Sequence, residues 1–454
     1  MQETEPLEPW KELAQLVDTG RTQALEEYLD ELPSCDVALA ISRLTNAEQT
    51  DLLTKLTAEG TADLVEQLPE VQAVDLIEHL GPAEAAAVLL ELPSDERVDL
   101  LAELEESQSE AILNELPKDD ASDARELSRY ADNVAGGLMA TEVLKYAEQL
   151  TVEDVIADMR ENADRYRDLD VQYTYVCDDE ARLIGVLRLR DLLLAKRKQP
   201  IGELMIRDPL SLPDDTPLDD LASFFDKHHY LGVPIVDPQG RLVGVVQKTA
   251  VAEALGERND SDFLKTQGII GGEELRTLPT LVRSRRRLAW LTVNIGLNVI
   301  AASVIAVFQD TLSSVIALAV FLPIISDMSG CSGNQAVAVS MRELSLGLVR
   351  SQEVLWVWFK EVVVGLINGG VLGLLIGVVA FAWKGNVYLG LVVGIALCLN
   401  TILAVSIGGV VPLVLKRRGM DPAVASGPIL TTVTDMCGFF LVLGFATLML
   451  AYLT

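Results

Sequence analysis

From Pro422 to Leu453 the chain is apolar, and a single carboxylate, Asp435, interrupts it near the middle. The stretch is longer than the about 20 residues a helix needs to cross a bilayer. A carboxylate at that depth costs at least about 2.5–3.5 kcal/mol on insertion scales, so it is rarely turned toward lipid. Two placements satisfy it: a cation site on a polar pathway, or a hydrogen bond or ion pair to another helix. Both call for a membrane region of several helices.

Charge divides the chain. Beyond Leu288 the bases Arg342, Arg350, Lys360, Lys384, Lys416, Arg417 and Arg418 balance the acids Asp310, Asp327, Glu343, Glu353, Glu361, Asp421 and Asp435. The whole net charge of -31 therefore belongs to residues 1–287. Such an acidic portion would repel nucleic-acid phosphates and suits cationic partners, or simply solubility. The five cysteines form no C-x-x-C pair, which excludes a zinc site or disulfide framework of that type. Met1 to Trp10 is polar and acidic, so no cleaved leader is expected.

Two repeats organise the acidic portion. Leu68, Leu80, Leu92, Leu104 and Leu116 recur at intervals of twelve, and Pro69, Pro93 and Pro117 directly follow three of them. Proline ends a helix and turns the chain. Each unit is one short amphipathic helix that cannot bury its apolar stripe alone, so the units stack into a superhelix. Further on, Ala181-Arg-Leu-Ile-Gly-Val-Leu187 recurs as Gly240-Arg-Leu-Val-Gly-Val-Val246. Leu138-Met139 recurs as Leu204-Met205, and Thr151-Val-Glu-Asp matches Thr216-Pro-Leu-Asp. The order helix, strand, turn, strand, helix, occurring twice, resembles a tandem pair of CBS domains, which generally sense ligands, often adenine nucleotides; a packing module without ligand is the alternative.

A polar, partly helical linker over 253–283 leads to membrane helices expected near 288–309, 312–341, 355–383, 387–415 and 422–453. The second carries Pro323, Asp327 and several glycines, which argues against a plain lipid-facing helix. Basic clusters at Arg283–Arg287, Arg342–Arg350 and Lys416–Arg418 fall on one side of five spans. The N-terminus is then cytoplasmic and the C-terminus outside.

Gly427, Thr431 and Asp435 lie four residues apart and share one helix stripe. Their oxygens suit hard cations such as Mg²⁺, Ca²⁺ or Mn²⁺. Asp327, followed by Gly330-Cys-Ser-Gly-Asn-Gln335, and Asp421 at the foot of the last helix are the other polar features. The three histidines all lie outside the membrane part, which argues against zinc or nickel. One carboxylate cannot dehydrate Mg²⁺, so Asp435 would hold a partly hydrated ion through water. In a twofold dimer two copies of Asp435 would repel unless a divalent cation lay between them. The third helix repeats Gly365, Gly369, Gly373 and Gly377, read as close helix packing. Asn294, Asn298, Asn368 and Asn400 are read as interhelical hydrogen bonds, and Lys360-Glu361 as paired near the interface.

Taken together, the chain resembles the MgtE family of magnesium channels and transporters over nearly its whole length. The likeness is sharpest at Gly333-Asn334-Gln335 with Arg342, at Phe359-Lys360-Glu361 with Gly365, and from Asp421-Pro-Ala423 through Pro428 to Asp435. It implies a multidomain membrane protein: an N-terminal α-helical superhelix (1–132), two α/β CBS domains (133–198 and 199–256), a linker or plug helix (257–283) and a five-helix all-α transmembrane domain (284–454). It implies a homodimer in the cell inner membrane with its pore between subunits, Asp435 as the ion-selective acid and Asp421 at the cytoplasmic mouth, with Asp327, Asn334, Gln335, Gly427 and Thr431 lining the path. Cytoplasmic Mg²⁺ would bridge acidic faces and hold the pore shut, with Asp219, Glu253 and Asp262 as regulatory acids. Tyr173, Arg190 and Asp191 match an ATP-contacting pattern in the first CBS copy; Ala250 in the second argues against another nucleotide site. The chain departs from the family pattern at Cys331, Gly427, His229, Ala250 and Arg258. Two other readings are a carrier for Co²⁺, Ni²⁺ or Mn²⁺, and a CBS-based membrane sensor without transport. Nothing points to an enzyme: there is no nucleophile–base pair, Walker loop or phosphorylatable-aspartate context.

Overall fold

A computed structural model of the chain describes residues 8–163, 166, 173–269, 275, 276 and 278–454, without the side chains of 424–426. Part of the expected linker, 270–274 and 277, and most of the first ten residues lie outside the described ones. The chain divides into two compact units, Met1–Arg258 and Asn259–Thr454.

The first unit opens with short helices from Pro9–Thr19 to Lys118–Leu127. Pro69, Pro93 and Pro117 each precede a helix start, at Glu70, Ser94 and Lys118. Each proline therefore ends one helix and sets φ for the next. The pairs Leu64–Val65, Leu76–Ile77, Val88–Leu89, Leu100–Leu101 and Ile112–Leu113 are all buried. Each such side chain contributes about 1.5–3 kcal/mol by leaving water. Helices two apart in sequence pack on each other, so the repeat closes into a superhelix.

Two four-stranded sheets follow, and they exchange edge strands. Lys145–Ala147, Tyr173–Cys177, Leu183–Arg188 and Ile206–Arg207 form one. Met139–Ala140, Leu242–Gln247, Gly232–Val236 and Leu212–Pro213 form the other. Each sheet thus takes a short strand from the other sequence repeat, across the boundary expected at 198/199. The two strand turns are near-copies. Asp178 Oδ1 accepts from the N–H groups of Glu180 and Arg182, and Asp237 Oδ1 from those of Gln239 and Arg241. Ala181 (φ 61°) and Gly240 (φ 79°) take the same left-handed position.

The last helix of this unit does not stop at the expected linker start: Lys248–Thr266 is one unbroken helix. The second unit contains, among the described residues, five long helices: Thr280–Val307, Leu318–Ser345, Val354–Lys384, Val387–Arg417 and Pro422–Leu448. Boundaries differ from the sequence reading by more than three residues at four places, one of them the end of the second helix, which runs to Ser345 rather than 341. The first helix begins eight residues early and takes in Arg283, Arg285, Arg286 and Arg287, which crowd its first two turns and extend its charged foot. A short helix, Gln309–Ser314, separates it from the second, and the last breaks at Met449. By length and composition, the first, third, fourth and fifth are apolar enough to cross a membrane. The second falls short because it carries the polar residues, not because it is short. The glycine series of the third helix packs on the fourth: a Cβ at Gly369 would lie 2.7 Å from the Cys398 carbonyl oxygen. Lys360 lies over the Trp356 ring at 5.3 Å, a cation–π contact in place of the expected ion pair.

Candidate functional site

Asp421 caps the last long helix, its Oδ1 accepting the Ala423 N–H at 2.8 Å. Its Oδ2 lies 3.2 Å from Lys265 Nζ, and the same ammonium is 3.9 Å from Asp262 Oδ1. Two candidate acids therefore converge, but on a lysine. The Thr266 carbonyl oxygen lies 3.8 Å from where a side chain at Gly427 would begin. The end of the linker helix thus rests on the opening turns of the last helix.

Further along, the Thr431 hydroxyl donates to the carbonyls of Gly427 (3.1 Å) and Pro428 (3.3 Å), so its lone pairs stay free on an exposed side chain. Asp435, half-buried, accepts through Oδ1 from the Ser326 hydroxyl on the second long helix. Among the described residues no basic side chain pairs with it; what it makes is a hydrogen bond to another helix, one of the two placements its sequence allowed. On the second helix Pro323, Asp327, Cys331, Asn334 and Gln335 are exposed, while Ser329, Gly333, Ala336 and Ser340 are buried. A polar stripe at helical spacing therefore lies on the surface of the isolated chain. The glycine between them explains its placement: a Cβ at Gly333 would lie 2.8 Å from Leu430 and 3.1 Å from the Ala404 carbonyl. That close approach turns Asn334 and Gln335 outward.

The sequence reading missed Ser326. Its signal is weak: a serine preceding Asp327 points about 100° away from it on the helix. Among the described residues no three His, Cys, Asp or Glu side chains gather as ligands to one ion. One carboxylate with hydroxyl, amide and carbonyl oxygens fits a hydrated hard cation better than a stripped one.

The regulatory candidates separate. Asp219 pairs with Arg258 at 2.8 Å, so a guanidinium already neutralises it. Glu253 instead faces two acids that sequence reasoning did not single out, Asp95 and Glu96 on the helix Ser94–Glu103, and Asp99 on the same helix meets Glu257. Loss of hydration pushes the carboxyls of Glu96 and Asp99 up to about 7. Repulsion adds to this, from Glu66, Asp95 and Glu253 at Glu96, and from Asp95, Asp132, Glu70 and Glu257 at Asp99. Asp95 is raised as well, and its Oδ1 is buried without a hydrogen-bond partner among the described residues. Repeats separated by more than 150 positions bring these acids together, so no local pattern marks them.

In the paired sheets a cleft of about 810 Å³ is lined by Tyr173, Arg188, Arg190, Asp208, His229 and Tyr230, among others. Tyr173 and Arg190 both line it. Asp191 does not line the cleft; it lies 3.6 Å from Arg190 Nε and 4.0 Å from Arg188 Nε. Its visible role is to fix those two guanidinium groups.

Residues 322–445 match the family "MgtE: Divalent cation transporter", residues 15–133 the MgtE intracellular N domain, and residues 134–198 and 201–257 the CBS domain. The chain is 32% identical over 338 residues to the magnesium transporter MgtE of Thermus thermophilus, covering 72% of this chain and 73% of that protein. It is 30% identical over 323 residues to the magnesium transporter MgtE of Bacillus subtilis, covering 71% and 70%. The crystal structure of the soluble part of a magnesium transporter matches with a TM-score of 0.51 at 25% identity, covering 56% of this chain and 99% of that one.

Proposed function

The chain belongs to the MgtE family of divalent cation transporters, and from that premise we propose that it carries Mg²⁺ across the cell membrane along a path that includes Asp435. The observation that carries this is a membrane-depth carboxylate held by a serine hydroxyl, with no basic partner among the described residues, beside an exposed polar stripe. Asp435 meets a hydrated ion; Thr431, Asn334 and Gln335 offer it hydroxyl and amide oxygens, and Asp327 a second carboxylate. Asp421 gathers ions at the cytoplasmic foot. A homodimer with the stripe at its seam would give two Asp435 carboxylates to one ion, which favours doubly charged cations. The basic clusters support a cytoplasmic N-terminus and an external C-terminus. The division into 1–132, 133–198, 199–256, 257–283 and 284–454 supplies the parts: sensor, CBS pair, plug and pore.

Asp435→Ala in proteoliposomes should abolish Mg²⁺ uptake while the protein still assembles. Retained uptake would remove Asp435 from the path. One observation favours a second reading: Cys331 is exposed on the same stripe, and sulfur suits softer ions. If Co²⁺, Ni²⁺ or Mn²⁺ competes strongly with Mg²⁺ flux, and Cys331→Asn relieves that competition, the chain serves another divalent ion.

Regulation follows from the crowded acids. Asp95 and Glu96 facing Glu253, with Asp99 against Glu257, are unfavourable as bare carboxylates, and cytoplasmic Mg²⁺ among them relieves the repulsion and closes the pore. Asp262 and Asp421, drawn together by Lys265, form the corresponding point at the plug. The cleft beside Tyr173, with Arg188 and Arg190 for phosphates and an aromatic for a base, suits ATP.

A further inference from the structure

Helix four of the membrane unit buries an amide. Asn400 is fully enclosed, and its Nδ2 donates to Ser329 Oγ at 2.6 Å. Ser329, also fully enclosed, gives its own proton to the Ile325 carbonyl at 2.6 Å, with the Ser326 carbonyl at 3.1 Å as the alternative acceptor. Because the Ser329 proton is used, only the donor end of the amide can face it. Asn400 Oδ1 then points elsewhere and is buried without a partner among the described residues. The amide also meets the last helix: a Cβ at Gly438, three residues past Asp435, would lie 2.7 Å from Asn400 Nδ2. Ser326, whose carbonyl Ser329 also reaches, donates to Asp435 Oδ1. A buried polar group that remains half-satisfied costs stability, and an apolar side chain of like size would avoid that cost.

We propose that Asn400 is a positioning residue for transport: through Ser329 it fixes the turn that carries Ser326, and so sets the direction of the Asp435 carboxylate. This rests on the reading of Asp435 as the ion-meeting acid. Ser326 pins Oδ1, which leaves Oδ2 to the hydrated ion. With the chain of contacts cut, the carboxylate swings and the ion–oxygen distance is no longer set. Groups that orient a metal-binding side chain typically change metal affinity by about 10–100-fold when removed. A loosely held carboxylate also accepts ions of different radius, so discrimination between Mg²⁺ and Ca²⁺ falls with affinity.

The test is concentration-dependent Mg²⁺ uptake into proteoliposomes, with Ca²⁺ competition, for the full chain and the variants Asn400→Leu, Ser329→Ala, Ser326→Ala and Asp435→Ala. Asn400→Leu and Ser329→Ala should each raise the half-saturating Mg²⁺ concentration about tenfold and sharpen Ca²⁺ inhibition. Their combination should be no worse than either alone, because both cut one chain of contacts. Ser326→Ala should reproduce the shift. Unaltered half-saturation and Ca²⁺ inhibition in Asn400→Leu, with only maximal uptake lowered in step with folded protein, would reduce Asn400 to packing and overturn the proposal. Should Asn400→Leu not assemble, Ser329→Ala, which deletes one buried atom, decides by the same readout. Loss of uptake in Asp435→Ala alone, with the others unaltered, sinks this inference and leaves the pore reading standing; retained uptake in Asp435→Ala sinks the pore reading itself.

Discussion

Arg97 looks ordinary in sequence, one base among the acids of Ser94–Glu103. In the fold it is 6% exposed and donates to the carbonyls of Leu89 (2.6 Å), Leu90 (3.3 Å) and Leu92 (3.0 Å) at the end of the preceding helix. Its guanidinium also lies 3.5 Å from Asp120 and 4.0 Å from Glu142. Removing one member of a buried charged network typically costs about 3–5 kcal/mol. Arg97→Met should therefore lower the thermal midpoint of the soluble region by several degrees in the full chain; an unaltered midpoint would mean the carbonyls are satisfied without it. The paired turns make a cleaner case. Gly240 has open space around it at φ 79°, so Gly240→Ala should cost about 1–2 kcal/mol by backbone conformation alone. Ala181 already bears that cost at φ 61°, and Ala181→Gly should raise the melting temperature. The repeat was legible because Arg-Leu and Gly-Val recur at matching positions in both copies. The shared left-handed conformation was not, since nothing in an Ala181-Arg-Leu run signals positive φ.

The linker helix decides behaviour at the scale of elements. Its existence was expected from polar, partly helical composition; its continuity from Lys248 to Thr266 was not, because no proline or glycine pair marks where one domain's helix should end. Lys265 sits between Asp262 and Asp421, so this helix carries its own cation to the foot of the last one. A half-exposed pair of this kind is worth about 0.2–1 kcal/mol. Lys265→Met should raise the cytoplasmic Mg²⁺ needed to halve flux by about two- to fivefold, as Mg²⁺ must now supply all of the charge. An identical inhibition curve would show that the lysine takes no part in closure. The second long helix teaches the complementary lesson. Its polar residues removed the simple apolar signal of a span and at the same time supplied the exposed polar stripe.

Across the molecule, acidity couples pH to divalent ions. Glu96 and Asp99 have folded values near 7 against ordinary values of 4.5 and 3.8. Their folded forms bind protons more tightly than their unfolded forms, so the penalty is absent below about 4, grows through the window up to about 7, and is complete above it. Without divalent ions the soluble region should melt at a higher temperature at pH 6 than at pH 8. Mg²⁺ should raise the midpoint more at pH 8, and the Glu96→Gln/Asp99→Asn double variant should flatten both trends. A pH-independent midpoint would remove the crowded acids from the regulatory account. Much of this architecture was readable from the chain itself: twelve-residue spacing, duplicated Gly-Val strands, apolar spans and one acid within the last. Those features are local, and hydrophobic periodicity and turn chemistry act over a few residues. The exchange of edge strands and the acids around Asp95 depended on the packed molecule. So did the run from Asn400 through Ser329 and Ser326 to Asp435, whose links join residues 71 and 109 positions apart. Which partner a buried polar group finds is set by how helices pack, and a sequence pattern holds no record of that distance.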